Sequence, residues 1–270
     1  MPVRPQTYHR PDTLAAAWQA LQQPDTHPLA GGSKLLTGHL PLTVTGVVDL
    51  QQVGLNQLTL TEAGLRVGAT VRLTDLADFL IGQPHPSAAQ LLQNGVRRSG
   101  PNTYRNAATL GGTIASYLPD SELIAALLVL GAEIYLYGRE TAVSLANYLL
   151  APVQLPHLIT HIIIPWQDGV GATERVARTP ADYPIVSITA WQRGDGVTCL
   201  AGTGLAKRPF CLPNIEEPLT ENSITTAAQT AHEAVVHPGD FRGDAAYRSQ
   251  MAAVLTRRVL QQIADGEVAR

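Results

Sequence analysis

The sequence lacks the residues that mark several common classes of protein. Cys199 and Cys211 are its two cysteines, too few for a disulfide framework or for a four-cysteine iron–sulfur or zinc site within this chain. We expect both to be inert thiols. His157 and His161 are four apart, but they lie in a strand-like, proline-containing stretch rather than in an HxxH or HExxH motif. We therefore expect no metal site.

An excess of basic charge and a long apolar run are also missing. The formal net charge is -3 and the pI is near 6.2, so a nucleic-acid partner is not expected. The longest apolar run, LIAALLVLGA at 123–132, is shorter than the roughly 20 residues of a membrane-spanning helix. The N-terminal MPVRPQTYHRP has no apolar signal core, and we expect a cytoplasmic protein without a membrane span.

The patterns that are present predict an α+β chain. Pro11-Asp12-Thr13 caps a first helix, Glu62-Ala63-Gly64 closes a β-hairpin, and Thr74 caps the helix DLADFL. SAAQLLQNGV reads as a further helix. Pro119-Asp120-Ser121 opens a strongly apolar helix that Gly131 ends, and the strand EIYLYG follows.

A change of composition predicts a domain boundary in the second half of the chain. PWQDGVGATERVARTPAD, at 165–182, is polar and rich in turn residues. We place one domain at 1–168, with two subdomains that divide near 55–60, and a smaller domain at 169–270. The smaller domain is predicted to contain the strands YPIVSITAWQR and VTCLAGTGLA and to finish with helices near 222–236 and 244–264.

Two Gly-Gly segments about eighty positions apart are the main functional signal. They read AGGSKLLTG at 30–38 and RNAATLGGTIAS at 105–116, and neither contains a Walker lysine motif or GxGxxG. Consecutive small residues let backbone N–H groups converge, which is a common way to hold a phosphate. For a single Gly-Gly pair the commoner explanation is a tight turn between strand and helix, so the pattern alone does not settle the choice.

The flanking residues resemble a known family. PLAGGSKLLTG, VVDLQQVGLNQL, LRVGATVRLTDL and YRNAATLGGTIASYLPDSELIAALLVLGAEIYL are similar to the flavin-binding, or medium, subunit of molybdenum hydroxylases such as carbon monoxide dehydrogenase and xanthine dehydrogenase. The opening YHRPDTLAAAWQAL and the tail AYRSQMAAVLTRRVLQQI extend the resemblance over nearly the whole chain.

The resemblance implies a fold, a cofactor and a set of binding residues. The fold would be a two-subdomain FAD-binding fold of the vanillyl-alcohol oxidase (PCMH) type, followed by a small α/β C-terminal domain. FAD would be clasped by the two Gly-Gly turns, with Arg105 and Asn106 shaping the loop near the flavin and Tyr183 close to the isoalloxazine ring. The residues that the resemblance assigns to the phosphates and the ribityl chain are Ala30, Gly31, Gly32, Ser33, Lys34, Leu35, Thr109, Gly111, Gly112 and Thr113.

Two positions depart from the family pattern. Thr113 stands where the family usually has Asn, and Glu122 stands where it usually has Asp. Threonine keeps a hydroxyl and glutamate keeps an acceptor for a ribityl hydroxyl. Other interpretations stay open: Glu122 as a first-turn carboxylate that favours the helix dipole, Arg105 as a solvated loop residue, and Tyr183 as a packed strand aromatic.

The function implied is that of an FAD subunit in a multi-subunit oxidoreductase. Electrons would come from an iron–sulfur small subunit associated with a molybdopterin large subunit, and would leave to NAD or another acceptor. No side chain of this chain need act as a catalytic acid or base. The alternatives are a non-redox assembly or binding protein that kept the fold but lost FAD, and a self-contained flavin oxidoreductase.

Overall fold

The computed structural model describes residues 3–37, 40, 42–150 and 156–266. Short strands and helices alternate along the chain. The elements before residue 100 are β1 (Thr7–His9), α1 (Leu14–Ala20), β2 (Thr26–Leu29), β3 (Gly46–Asp49), β4 (Leu58–Thr61), β5 (Gly64–Gly68), α2 (Leu73–Phe79) and α3 (Pro86–Arg97). Those up to residue 164 are α4 (Asn102–Arg105), α5 (Leu110–Ala115), α6 (Glu122–Val129), β6 (Glu133–Leu136), β7 (Val143–Ser144), α7 (Leu145–Leu150) and β8 (Ile159–Ile164). The remainder forms β9 (Gly169–Val176), β10 (Val186–Arg193), β11 (Thr198–Thr203), β12 (Phe210–Ile215), α8 (Glu221–Glu233), β13 (Gly239–Asp240), β14 (Gly243–Asp244) and α9 (Ala245–Ala264).

The first compact unit comprises residues 1–78, 101–117 and 133–164. It contains a parallel three-stranded sheet in the order β1-β3-β2, which leaves β2 at an edge. It also contains a five-stranded sheet in the order β4-β5-β8-β6-β7, in which every pairing is antiparallel. The first Gly-Gly turn directly follows β2, and the second lies in the long connection between β5 and β6.

The second compact unit comprises residues 79–100, 118–132 and 165–270. Its antiparallel sheet has the order β12-β11-β10-β9. One face packs on α8 and α9 through a core that includes Ile188, Leu200 and Leu255. Helices α3 and α6 pack against strands of the same sheet, and Gly95 allows the backbone of α3 to approach Leu123 of α6 closely.

Most of the predicted elements are confirmed. Thr13 caps α1 by accepting a hydrogen bond from the Ala16 N–H at 3.2 Å, and Ser121 caps α6 in the same way from Ile124. Strands β4 and β5 form the predicted hairpin, and Gly131 follows α6 with a φ of +74°. The two C-terminal helices lie within a few residues of their predicted bounds.

Three local predictions were wrong or incomplete. Thr74 lies inside α2 rather than capping it, because the Leu73 N–H bonds to the Ala108 carbonyl and the Leu76 N–H to the Arg72 carbonyl. The stretch 165–182, predicted as polar turns, contains β9, whose eight residues all pair with β10. Sequence analysis also missed strand β12. This strand contains Pro213, which has no backbone N–H to donate, and it lies at the edge of the sheet, where proline is tolerated.

Within the described residues, no helix combines the length and the apolar character that crossing a membrane requires. The predicted boundary at 168–169 stays a prediction, and the final residue of the first Gly-Gly segment, Gly38, lies outside the described residues.

Candidate functional site

The first Gly-Gly turn follows edge strand β2 and leads into one turn of 3-10 helix at Leu35–Thr37. Gly32 has a φ of +66°, in the left-handed region that favours glycine, and its carbonyl accepts from the Leu36 N–H at 3.1 Å. Across the described residues, the backbone N–H groups of Gly31, Gly32 and Ser33 donate no hydrogen bond. Consecutive N–H groups around a left-handed residue form a concave set of donors that suits an anion.

The two Gly-Gly turns lie in contact within the first unit. A Cβ atom on Gly31 would be 1.7 Å from the Ala107 carbonyl oxygen and 3.2 Å from the Ala108 nitrogen. No side chain fits in that space, since real Cβ atoms do not approach a backbone so closely. Glycine at position 31 therefore allows two segments that are far apart in sequence to pack backbone against backbone.

The second Gly-Gly pair lies in the first turn of helix α5 rather than in a turn between elements, and its backbone N–H groups donate inside the protein. We keep the name second turn for this segment. The N–H groups of Leu110 and Gly111 donate to the carbonyls of Val71 and Ala69, at 2.9 and 3.0 Å. Thr109 caps α5, because its hydroxyl accepts from the Gly112 N–H at 3.2 Å. A Cβ on Gly111 would be 2.7 Å from the Ala69 carbonyl oxygen, so this glycine too lies against backbone.

The other predicted residues of this unit support the second turn. The Thr113 hydroxyl donates to the Thr109 carbonyl at 2.9 Å and is buried. The Asn106 side chain accepts from the Thr74 hydroxyl at 2.6 Å, which ties the loop to α2. Arg105 donates to the Asn102 side chain within α4.

Lys34 lies beside the helix that precedes the second turn. Its ammonium group is 5.1 Å from the centroid of the Tyr104 ring, a distance at which the ring face attracts a cation. Lys34, the charged residue of the first turn, therefore lies against Tyr104 of α4 and next in sequence to Gly31, Gly32 and Ser33.

Glu122 begins α6 in the second unit and is paired with two arginines. Its Oε1 accepts from Arg98 Nη1 at 2.9 Å, and its Oε2 lies 3.5 Å from Arg175 Nη1. The side chain is 2% exposed. Burial raises the pKa of this carboxyl above its usual range, although Arg98 and Arg175 both act to lower it. Within the described chain, Oε2 accepts no hydrogen bond.

Tyr183 lies near the same turn of the second unit. Its hydroxyl donates to the Ser99 carbonyl at 3.1 Å, next to Arg98, the partner of Glu122. Burial, with a smaller effect from Asp120, raises the pKa of the Tyr183 phenol. Glu122 and Tyr183 therefore bind consecutive residues, Arg98 and Ser99, just after the end of α3.

Sequence reasoning did not single out Arg98 and Arg175. Both are remote from Glu122 along the chain, and neither belongs to a motif, so no local pattern identifies them. The only available signal was a carboxylate in the first turn of an otherwise apolar helix, which needs a counter-ion when it is buried.

The sequence profile of a known family matches the first part of the chain. Residues 3–167 match the FAD binding domain in molybdopterin dehydrogenase. The chain belongs to this family. Residues 175–263 of this FAD-binding family member also match the CO dehydrogenase flavoprotein C-terminal domain. The predicted family, the α+β fold with its C-terminal domain, and FAD as the cofactor are thereby confirmed.

Relatives of the family member are similar over nearly their whole length. The glyceraldehyde dehydrogenase medium chain of Sulfolobus acidocaldarius is 27% identical, with 96% of this chain and 98% of the relative covered. The carbon monoxide dehydrogenase medium chain of Afipia carboxidovorans is 28% identical, with 94% and 95% covered. YgfM of Escherichia coli, an uncharacterized protein, is 28% identical, with 92% of each covered.

Solved structures share the fold. A chain of carbon monoxide dehydrogenase from Hydrogenophaga pseudoflava superposes with a TM-score of 0.86 at 22% identity and covers 100% of both chains. A chain of quinoline 2-oxidoreductase from Pseudomonas putida superposes with a TM-score of 0.84 at 23% identity and covers 98% of this chain and 99% of that chain.

Proposed function

We propose that this chain is the FAD-carrying subunit of a multi-subunit oxidoreductase of the molybdenum hydroxylase type. In this role it passes electrons from iron–sulfur clusters of a small partner subunit to an external acceptor such as NAD, while a large partner subunit carries the molybdopterin centre. Relatives named as medium chains of two different dehydrogenases support a subunit role.

The donors of the first turn are the single observation that carries the proposal. Three consecutive backbone N–H groups, at Gly31, Gly32 and Ser33, donate no hydrogen bond within the described residues. Backbone donors are strong and are normally paired, so such a set suits a diphosphate. Lys34, close by, adds a positive charge. Ala30 and Leu35 complete the predicted turn.

The second turn has a different part in the proposal. Its donors at Leu110, Gly111 and Gly112 are used internally, so its contribution is close approach of a small-residue backbone rather than a second set of free N–H groups. Thr109 and Thr113 keep the turn in shape through their hydroxyls. Arg105 and Asn106 stay assigned to the loop near the flavin.

Two residues of the second unit are proposed to contact the remaining parts of FAD. Glu122 keeps hydrogen-bonding capacity on Oε2, which supports a contact with a ribityl hydroxyl, but a hydroxyl would first have to displace the groups that bury this atom. Tyr183 is proposed to lie beside the isoalloxazine ring. When bound, FAD supplies a centre that accepts and releases electrons, and this chain supplies its position and surroundings.

The first experiment identifies the cofactor. The purified protein is denatured by heat, and the released material is separated by chromatography and measured against the protein concentration. We expect about one FAD per chain. Protein without flavin that also refuses added FAD would favour the non-redox alternative, and oxidation of a small substrate by the chain alone would favour a self-contained flavin oxidoreductase.

A matched pair of variants tests the first turn. Gly32→Ala and Gly54→Ala both place a Cβ at a left-handed glycine, with φ of +66° and +75°. Gly54→Ala, whose Cβ meets nothing within 4 Å, should lower the free energy of unfolding by about 1 kcal/mol. Gly32→Ala should lower it somewhat more, because its Cβ would lie 3.1 Å from Leu36 Cδ1. Only Gly32→Ala should also weaken FAD binding, by about tenfold, because a shifted N–H loses a charge-assisted hydrogen bond. Equal FAD affinities in the two variants would contradict the assignment.

A further inference from the structure

A chain of four alternating charges lies in the second unit, outside the residues assigned so far. Arg248 Nη2 donates to Asp240 Oδ1 at 2.7 Å, and Asp240 Oδ2 accepts from Arg242 Nε and Nη2 at 3.1 Å. Arg242 Nη1 then donates to Asp120 Oδ2 at 3.0 Å. We call Arg248, Asp240, Arg242 and Asp120 the ion-pair chain.

The ion-pair chain is more firmly held than an ordinary surface pair. The Arg248 side chain is 0% exposed, and Arg242 and Asp120 are 20% and 15% exposed. Burial by itself would raise the pKa of the Asp240 carboxyl, but hydrogen bonds from the Arg242 backbone and from Arg242 and Arg248 hold it well below its usual range. Networks of this kind carry more energy than isolated exposed pairs.

Both arginines of the ion-pair chain donate to the segment that follows Tyr183. Arg248 Nη1 donates to the carbonyls of Ile185 and Gly204, the latter at 2.9 Å. Arg242 Nη1 reaches the Pro184 carbonyl at 3.5 Å. Two successive carbonyls after Tyr183 are therefore held by two guanidinium groups.

The ion-pair chain also binds the segment that precedes Glu122, to which Asp120 belongs. Asp120 is held by Arg242, and the Pro119 carbonyl accepts from the Gly204 N–H at 3.1 Å. Gly204 is also the residue whose carbonyl binds Arg248. The two segments are thus tied to the same pair of arginines, and the smaller effect of Asp120 on the Tyr183 phenol agrees with their closeness.

From these contacts we propose that Arg242 and Arg248 are positioning residues, which hold the Tyr183 segment and the Glu122 segment in one fixed arrangement for FAD. This inference rests on the proposed function, in which Tyr183 and Glu122 contact the cofactor. It gives the C-terminal region a role that does not require any of its charged side chains to touch FAD. Fixing a binding group through a second layer of hydrogen bonds is what keeps a site accurate, and an error of about 1 Å can cost on the order of a hundredfold in rate.

The test compares Arg242→Gln with Arg193→Gln in the full-length protein. Arg193 also pairs with an aspartate, Asp195, but it is exposed and contacts neither segment. We expect Arg242→Gln to bind FAD about tenfold more weakly and to shift the absorption spectrum of the bound flavin towards that of free FAD. Arg193→Gln should change neither, and Arg242→Lys should restore part of the affinity.

A double variant separates positioning from stability. If Arg242 acts in part through Tyr183, the spectral shift caused by Arg242→Gln should be smaller when Tyr183 is already replaced by Ala, since non-additivity reports a shared interaction. If Arg242→Gln does not fold, Asp120→Ala takes its place, because it removes the acceptor of Arg242 Nη1 and leaves the Arg242–Asp240 contacts intact.

Three results would count against the inference. Wild-type protein that binds no FAD overturns both the proposed function and this inference. Wild-type protein that binds FAD, with an unchanged spectrum and affinity in Arg242→Gln or Asp120→Ala, overturns the inference alone. Fully additive spectral changes in the double variant also overturn it, since Arg242 would then not act through Tyr183.

Discussion

The two Gly-Gly turns share a glycine pair followed by a hydroxyl residue, but their backbone N–H groups differ in hydrogen bonding. The first turn leaves the N–H groups of Gly31, Gly32 and Ser33 without an acceptor in the described part of the chain, whereas the second spends those of Leu110 and Gly111 on backbone carbonyls. Both belong to one compact unit, and they pack against each other at Gly31.

The neighbours of each turn explain this contrast. The first turn follows β2, an edge strand with β3 on one side only, so few backbone acceptors are close to it. The second turn passes the segment after β5, where the carbonyls of Ala69 and Val71 accept its donors. A Gly-Gly pair therefore shows that backbone can approach closely, while the surrounding strands decide whether its donors are left for a ligand.

The largest expected effect comes from separating the two turns. Gly31→Ala puts a Cβ 1.7 Å from the Ala107 carbonyl oxygen, so one backbone must move. We expect the free energy of unfolding to fall by about 3 kcal/mol, measured by denaturant titration, and FAD to be lost on gel filtration. Stability close to that of the wild type would show that the turns are not in contact.

An intermediate effect is expected from removing the cap of the second turn. Thr109→Ala deletes the hydroxyl that accepts from the Gly112 N–H. Loss of such a cap costs about 1 kcal/mol of stability. FAD affinity, measured by fluorescence titration, should change much less than in Gly32→Ala, because this hydroxyl already has a partner within the protein. A large loss of affinity would instead assign Thr109 a direct contact with FAD.

The smallest effect is expected for Gly112→Ala. Alanine favours the helix by about 0.5–1 kcal/mol, but its Cβ would lie 3.0 Å from Thr109 Oγ1 and disturb the cap. The two effects should nearly cancel, leaving stability within about 0.5 kcal/mol of the wild type in thermal denaturation. If FAD affinity nevertheless falls sharply while stability is unchanged, close approach of FAD to Gly112 is the cause.

Local signals predicted much of the fold. Caps such as Thr13 and Ser121, the hairpin turn and the apolar periodicity of α6 each depend on residues close together in sequence. Strand β9 was missed because half of its residues, Gly169, Gly171, Ala172 and Glu174, are of types depleted in strands, and the strand is held by pairing with β10 over its whole length. Thr74 was assigned as a cap because the sequence does not show that the Leu76 N–H bonds to the Arg72 carbonyl, which starts the helix before Thr74.

The candidate site divides in the same way. The motif predicted that both turns matter, and the family match confirms FAD as the cofactor. The motif could not predict that the N–H groups of the first turn lack an acceptor in the described residues while those of the second turn are hydrogen-bonded. The acceptors of the second turn, Ala69 and Val71, lie about forty residues earlier in the sequence. Nor could the motif predict that Arg98 and Arg175 flank Glu122, since that contact depends on the packing of α3, α6 and β9.

The burial of α6 has a consequence for synthesis of the protein. All eight residues of this helix are buried, and part of its cover is β10 and β11, which are made much later. At about 5–20 residues per second, the ribosome leaves an apolar helix waiting for these strands for seconds. During that interval α3, already made and able to approach α6 closely at Gly95, covers part of the helix, and we expect the rest of its apolar surface to stay exposed until β10 and β11 are made.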